Sequence, residues 1–270
     1  MTERDPETSD ADTIYVFAVC RDPDPSVLVG LSGVSDESPV APLSLGSLTA
    51  IVQRVRAGDF GEEAWEARLA DSVELERYAR GHHDVVSAVA AACPTVPLPM
   101  ATLYRGAERA RQALADEADR FHAVLGRIAR HAEWGVKVYA APGPRDDGNQ
   151  EPAVPAASGD RSRPAPGAGL AYLNRKRGAQ QRRERCQTEA LRVAEVVDVE
   201  VSGLAAASRR LRPHAQPPGE RRIQVLNATY LVAEHRAEEL GVLTRALRER
   251  TGAQIELSGP WVPYSFVGEV

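Results

Sequence analysis

The chain has 270 residues, of which 43% are hydrophobic, so it is long enough to form two domains with their own cores. Its 33 basic and 38 acidic residues give a net charge of −5, which argues against a general nucleic-acid-binding protein. No apolar run reaches the roughly 18 residues that a membrane-spanning helix needs. The acidic N-terminus lacks the apolar core of a signal peptide. We therefore expect a cytoplasmic protein without a membrane span.

The N-terminal part predicts a mixed α+β sheet domain over residues 12–140, preceded by a disordered N-terminus at residues 1–11. Thr13–Cys20 is a nearly continuous, β-rich apolar run, typical of a central strand that is covered on both faces. Helical patterns follow at residues 62–93 and, as one long helix, from Ala107 to Ile128. The alternating stretch Trp134–Tyr139 predicts a strand that closes this domain. We expect the helices to lie on one face of the sheet.

Residues 141–169 predict a flexible linker between the two domains. They contain six of the 19 prolines of the chain, and Val154 is their only aliphatic residue larger than alanine or proline. Such a segment cannot bury enough apolar surface to offset the entropy lost on ordering.

Residues 170–258 predict a C-terminal α+β domain of alternating helices and strands. Its expected elements are a short strand or helix entry at 169–173, a helical region to about Leu211 with Gly203 as a candidate break, a strand at Ile223–Val232, a helix at 234–250 that Gly252 ends, and a strand at Ala253–Leu257. This order is compatible with a ferredoxin-like domain.

An irregular aromatic tail at residues 259–270 ends the chain. Pro260 and Pro263 disfavour a helix or a central strand here. The candidate structural anchors of the tail are Trp261, Tyr264 and Phe266. We expect Trp261 and Phe266 to be largely buried and Tyr264 to be partly buried, as the tail packs back on the domains. A free recognition element with aromatic anchors is the alternative.

The sequence predicts no catalytic, cofactor or metal site from the common motifs. Phosphate-binding loops, dinucleotide fingerprints, nucleophile elbows and paired zinc-ligand motifs do not occur in it. Cys20, Cys93 and Cys186 are far apart, which indicates neither a disulfide framework nor a structural zinc site. We interpret Cys20 and Cys93 as buried small hydrophobic residues.

One ionisable cluster leaves open a different class of protein. His82, His83 and Asp84 could serve a small-molecule-binding protein or an enzyme if they met in an inter-domain cleft. Adjacent helical residues point about 100° apart, so both histidines cannot easily share one metal ion. The simpler interpretation is one solvated and one packed histidine.

A basic segment is the candidate partner-binding site. It consists of Arg175, Lys176, Arg177, Arg182, Arg183 and Arg185. Glu184 is the only acidic residue within it, so the local charge is strongly positive on an acidic protein. A docking surface for an acidic protein is the favoured functional interpretation, and a solvated helix face is the alternative. A docking surface for a nucleic-acid phosphate chain is a further interpretation. No aromatic residue alternates with these arginines, so base stacking on single strands is not supported. A protein partner is therefore favoured, and no nucleic-acid partner is expected.

Six segments, taken in order, resemble the gas vesicle protein GvpF/GvpL family. They are Tyr15–Phe17, Pro97–Pro99, Gly135–Tyr139, Tyr172–Arg177, Leu226–Val232 and Gly259–Phe266. The ending G-P-W-x-P-Y-S-F, preceded by N-A-x-Y-L-V, is the most specific part. Where family members usually carry an R-F-G-T-type sequence, this chain has Pro99–Leu103, which places in doubt any surface role of that segment.

The resemblance implies a non-enzymatic accessory or minor structural protein of gas vesicle formation. It implies binding to the hydrophobic shell protein and to other accessory proteins of the gas vesicle. It also implies an N-terminal α+β domain joined to a ferredoxin-like domain.

Overall fold

The computed structural model describes residues 13–140, 168–212 and 223–268. The described chain forms two compact units. The first unit runs up to Glu133 and resumes at Pro260, and the second spans Trp134–Gly259. Both combine helices with a sheet, which confirms the α+β class. Apart from Ala168 and Gly169, the predicted linker lies outside the described residues.

The strands and helices are numbered in chain order. The strands are β1 Thr13–Cys20, β2 Val40–Ser44, β3 Thr49–Val55, β4 Thr95–Pro97, β5 Leu103–Arg105, β6 His131–Tyr139, β7 Ala207–Arg210, β8 Gln224–Ala233 and β9 Gln254–Trp261. The helices are α1 Glu62–Ala70, α2 Ser72–Ala92, α3 Ala107–Asp116, α4 Ala118–Ile128, α5 Ala168–Ser202 and α6 Ala237–Thr251.

The sheet of the first unit has β1 at its centre. Its strand order is β2-β3-β1-β4, and β5 also pairs with β1. Strand β4 pairs with Ala18–Cys20 and β5 pairs with Thr13–Tyr15, so both lie along the same side of β1. Every residue of β1 is buried, as its continuous apolar sequence predicts.

Helices cover both faces of this sheet, so the expectation of helices on one face is wrong. Alternating residues of a strand point to opposite faces, which allows β1 to contribute to two cores. On one face Ile14 and Val16 join the core that contains the buried residues of α3 and α4. On the other face Tyr15 and Phe17 join the core that contains the buried residues of α2.

The predicted long helix is two helices, α3 and α4, that meet at Glu117. Glu117 leaves helical geometry with φ −100° and ψ 11°. The apolar stripe continues across the break, which explains why the sequence predicts one helix. Asp116, Glu117 and Asp119 favour the break, because carboxylates stabilise the N-terminus of a helix and destabilise its C-terminus.

The second unit contains, in chain order, β6, α5, β7, β8, α6 and β9, and its strand order is β7-β8-β6-β9. Alternating residues of β8, from Leu226 to Val232, pack with apolar residues of α5 and α6 in one core. Gly252 ends α6 in the left-handed conformation at φ 65°, as predicted. Helix α5 ends at Ser202 rather than near Leu211, because residues 207–210 pair with β8 as the strand β7.

The bounds of the two units differ from the predicted domain bounds. Strand β6 carries the residues expected to close the N-terminal domain, but Trp134–Tyr139 lies in the sheet of the second unit. The tail from Pro260 belongs to the first unit. The apolar pattern of a segment predicts that it is a strand, but not which strand it pairs with. The predicted domain bounds therefore differ from the bounds of the two units.

Candidate functional site

The C-terminal tail is tied into the first unit by apolar and polar contacts. Phe266 and Val267 are buried, and Val267 lies in the core beneath α3 and α4. Val262 packs against the opposite core, beside Tyr15 and Phe17. The tail therefore contributes to both cores of this unit.

A buried carboxylate fixes the backbone of the tail. Glu133 is 7% exposed and accepts two hydrogen bonds from Ser265, from its amide nitrogen at 2.9 Å and from its hydroxyl at 2.6 Å. The Arg127 guanidinium donates to the carbonyl oxygen of Phe266. Hydrogen bonds to charged groups are stronger than those between neutral groups, so these contacts hold the turn at Tyr264–Phe266 firmly.

The other two aromatic anchors are only partly buried, as expected for Tyr264 but not for Trp261. Trp261 is 50% exposed and Tyr264 is 38% exposed, whereas Phe266 is 8% exposed. The expectation that Trp261 is largely buried is wrong. Trp261 is the last residue of β9, which lies at the edge of its sheet.

Trp261 and Tyr264 share one partner, the exposed imidazole of His83 on α2. The His83 ring centre lies 6.4 Å from that of Tyr264, with the two ring planes inclined by 29°, and 6.5 Å from that of Trp261. Burial raises the pKa of the Tyr264 hydroxyl above its ordinary value. We call His83, Trp261 and Tyr264 the aromatic surface.

The basic segment lies in the first half of α5. Of its six members, Lys176, Arg177, Arg182 and Arg185 are exposed, and the side chains of Arg175 and Arg183 lie outside the described ones. Among the described residues, none of these four cations pairs with a carboxylate. The single acid of the segment, Glu184, accepts instead from Gln180 at 3.1 Å. The positive charge of this surface is therefore not neutralised internally by the described residues.

His82, His83 and Asp84 do not converge on one site. His82 is buried in the core, and its Nδ1 lies 2.7 Å from the hydroxyl of Tyr15. The Tyr15 hydroxyl also accepts a hydrogen bond from the amide of Ala101 at 3.2 Å. Burial lowers the pKa of His82 to about 4. His83 and Asp84 are exposed, and the arrangement offers no shared pocket to a substrate.

Gly81, which precedes these residues, has a packing role. A Cβ atom at Gly81 would lie 2.1 Å from the carbonyl oxygen of Gly33. Only glycine allows α2 to approach this loop so closely. In the Gly-His-His-Asp sequence, Gly81 and His82 thus pack against the rest of the first unit, whereas His83 and Asp84 are exposed.

Ser47, His122 and Arg21 form a contact that the sequence does not predict, since they are far apart in the chain. Ser47 Oγ lies 2.9 Å from His122 Nε2, and the Arg21 guanidinium lies 3.1 Å from His122 Nδ1. Arginine only donates, so Nδ1 accepts and the neutral ring carries its hydrogen on Nε2. Nε2 then donates to Ser47 and cannot take its proton, which argues against an activated serine.

Comparison with known proteins identifies the chain. The family model described as gas vesicle synthesis protein GvpL/GvpF matches residues 13–268. The chain belongs to the GvpL/GvpF family. It is 37% identical over 255 residues to gas vesicle protein L of Streptomyces sp. (strain CB03234). The aligned region covers 94% of this chain and 92% of that relative.

Solved structures of this family share the fold. The chain is similar to the crystal structure of GvpF from Anabaena sp. PCC7120, with a TM-score of 0.64, 14% identity and coverage of 96% of this chain and 97% of that one. It is also similar to GvpF from Microcystis aeruginosa, with a TM-score of 0.58, 14% identity and coverage of 95% and 99%.

Membership of the GvpL/GvpF family supports a role in gas vesicle formation and an association with gas vesicle components. Across the part of the chain that the structure describes, no helix has both the length and the apolar character that crossing a bilayer demands. Within the same residues, no group of three or more His, Cys, Asp or Glu side chains is placed to hold a metal ion.

The segment Pro99–Leu103, which leads from β4 into β5, contains a residue with strained backbone geometry. Ala101 has a φ of 62°, in the left-handed region that favours glycine. Its amide donates to the Tyr15 hydroxyl at 3.2 Å. A glycine adopts this backbone without strain, whereas the alanine here adopts it at an energetic cost.

Proposed function

We propose that this chain is a non-enzymatic accessory or minor structural protein that binds the hydrophobic shell protein during gas vesicle formation. The family match over residues 13–268 carries this proposal. Gas vesicle protein L of Streptomyces, at 37% identity, supports it.

Two surfaces of the described chain are suited to protein partners. The first is the basic segment, where Lys176, Arg177, Arg182 and Arg185 face solvent without a described acidic partner. Such a surface attracts an acidic region of a partner and loses affinity as salt screens the charges. The second is the aromatic surface, which offers half-exposed rings of the kind enriched at the centres of interfaces.

Co-purification tests the proposal. The tagged full-length chain is expressed with the shell protein of the same gas vesicle gene set, and shell protein in the eluate is quantified. We expect capture by the native chain and at least tenfold less capture by Arg182→Glu/Arg185→Glu.

The matched control is Arg109→Glu/Arg245→Glu, which changes the net charge equally at two other exposed positions. If both double variants capture shell protein as the native chain does, the basic segment is not the binding surface. If the native chain captures no shell protein, the proposed function is wrong.

We further propose that the two compact units are separate domains and that the second is ferredoxin-like. The β-α-β-β-α-β order of its elements and the strand order β7-β8-β6-β9 support this assignment. An experimental structure in which β8 pairs with β9 instead of β6 would refute it.

A further inference from the structure

Two free cysteines that are far apart in sequence lie side by side in the first unit. Cys20 is the last residue of β1, and its Cα is paired with that of Thr95. Cys93 precedes Thr95 by two residues and is extended, with φ −151° and ψ 158°. Residues two apart in an extended chain share one face, and so do directly opposed residues of paired strands. Cys20 and Cys93 therefore face the same way.

The contacts of the side chains agree with this placement. The two cysteines belong to one apolar core, in which Cys20 is fully buried and Cys93 is partly exposed. Cys93 Sγ lies 3.8 Å from the hydroxyl of Thr95, the residue opposite Cys20. Neither thiol is in a disulfide.

The two thiols also differ in acidity. The neighbouring Cys20 thiol lowers the pKa of Cys93 to about 7, while Cys20 itself donates to the carbonyl oxygen of Thr49 at 3.5 Å. The interaction with Cys93, together with burial, raises the pKa of Cys20 above its ordinary value. Of the two thiols, Cys93 is therefore the more readily ionised and the more accessible, and Cys20 is the less acidic thiol beside it.

We propose that Cys93 is a peroxide-sensitive site and that Cys20 resolves it into an intramolecular disulfide. The oxidant is a hydroperoxide of small size, because Cys93 is only partly exposed. This site is independent of the surfaces proposed to bind gas vesicle proteins.

The reaction proceeds in two balanced steps. The Cys93 thiolate attacks one oxygen of hydrogen peroxide, the O–O bond breaks, and the leaving hydroxide takes up a proton to form water. Cys93 is then a sulfenic acid. The Cys20 sulfur attacks the Cys93 sulfur and forms the S–S bond, while hydroxide leaves and takes the proton of Cys20 as a second water. Two thiols are oxidised, and one peroxide is reduced to two waters.

Closure of this bond requires a small movement of the backbone at Cys93. Diagonal neighbours across an antiparallel pair have Cα atoms about 7–8 Å apart, and a disulfide needs about 4.4–6.8 Å. Cys93 lies in the junction between α2 and β4, outside the strand pairing, so a shift of about 1 Å there breaks no ladder hydrogen bond. The closed bond would tie the end of α2 to the end of β1.

Peptide mapping of the full chain tests the site directly. The Cys186→Ser variant serves as the background, because Cys186 is exposed on α5 and would form disulfides between molecules. After treatment with hydrogen peroxide and mapping without reductant, we expect a cross-linked Cys20–Cys93 peptide pair that dithiothreitol separates. Closure of the bond should also raise the melting temperature by roughly 5–15 °C.

Removal of the resolving thiol separates the two steps. In Cys186→Ser/Cys20→Ser, dimedone should label a persistent sulfenic acid at Cys93, whereas Cys186→Ser/Cys93→Ser should show no label at Cys20. Circular dichroism establishes that both variants are folded. If Cys20 and Cys93 remain unlinked and unoxidised after peroxide treatment of the Cys186→Ser variant, the proposal is wrong. Oxidation of Cys93 without a link to Cys20 overturns the role of Cys20.

Discussion

The C-terminal tail and the first half of α5 are both candidate binding regions, but their surroundings are opposite. The tail is fixed by Phe266 in the protein interior and by Ser265 on the buried Glu133. The described cations of α5 face solvent, and no described carboxylate neutralises them. The specific sequence of the tail is thus explained by internal contacts, whereas the charge of α5 is not. A change in the tail should affect folding first, and a change in α5 should affect only what it binds.

Replacement of Phe266 by alanine tests the tail at its most buried point. The phenyl ring is 8% exposed, so its loss should lower the free energy of unfolding by about 3–4 kcal/mol. Urea denaturation of the full chain measures the change. Trp261→Ala is the control within the same tail and should cost less than about 1 kcal/mol, since half of its side chain is exposed. If both variants lose the same free energy of unfolding, Phe266 does not anchor the tail more strongly than Trp261 does.

The buried histidine beside Tyr15, His82, should make stability depend on pH. The pKa of His82 in the folded chain is about 4, below the ordinary value of 6.5. At a pH between 4 and 6.5, His82 binds a proton in the unfolded chain but not in the folded chain. The free energy of unfolding therefore falls as the pH falls from 6.5 towards 4. The loss amounts to about 3 kcal/mol over the window. Urea denaturation across this range should show the slope in the native chain and in His235→Gln, an exposed control, but not in His82→Gln.

Loss of the Ser265 hydroxyl should have a smaller effect than loss of the Phe266 ring. Ser265→Ala removes one of the two hydrogen bonds to Glu133 and should destabilise the chain by about 1–2 kcal/mol. Ser208→Ala, at an exposed position of β7, is the control. It should change the free energy of unfolding by less than about 0.5 kcal/mol. A cost for Ser265→Ala as small as that of Ser208→Ala would mean that apolar burial alone holds the tail.

The contrast between buried and exposed regions also explains what the sequence could and could not predict. Helix α6, its end at Gly252 and strand β8 follow from apolar periodicity and a turn residue, because their burial is regular. Strand β7 was missed because Ala207–Arg210 is short, charged and on a sheet edge, so it carries little apolar pattern. The sequence of the tail marked an anchor correctly at Phe266, but it could not separate Phe266 from Trp261, since both are large and aromatic.

The segment between β4 and β5 offers a change that should stabilise the chain. Ala101→Gly relieves a left-handed conformation at φ 62° and should raise the free energy of unfolding by roughly 1 kcal/mol. Thermal denaturation checks the gain, and Ala129→Gly, whose φ is −55°, should show no gain. Because Ala101 donates to Tyr15 next to His82, a loss of stability would indicate that the alanine supports this hydrogen bond.

Substitutions in the first half of α5 should have the smallest effect on stability. They test whether α5 differs from the C-terminal tail in the way proposed above. Lys176→Glu/Arg177→Glu should change the free energy of unfolding by less than about 0.5 kcal/mol, because both side chains are exposed and neither pairs with a described carboxylate. The same variant should lose its affinity for an acidic partner, and the affinity of the native chain should fall as salt rises. Urea denaturation and binding measured on one preparation separate the two effects. A loss of stability comparable to that of Ser265→Ala would mean that the basic segment is part of the fold, as the tail is. Unchanged stability with reduced binding would mean that the charge of α5 serves recognition, whereas Phe266 and Ser265 serve packing.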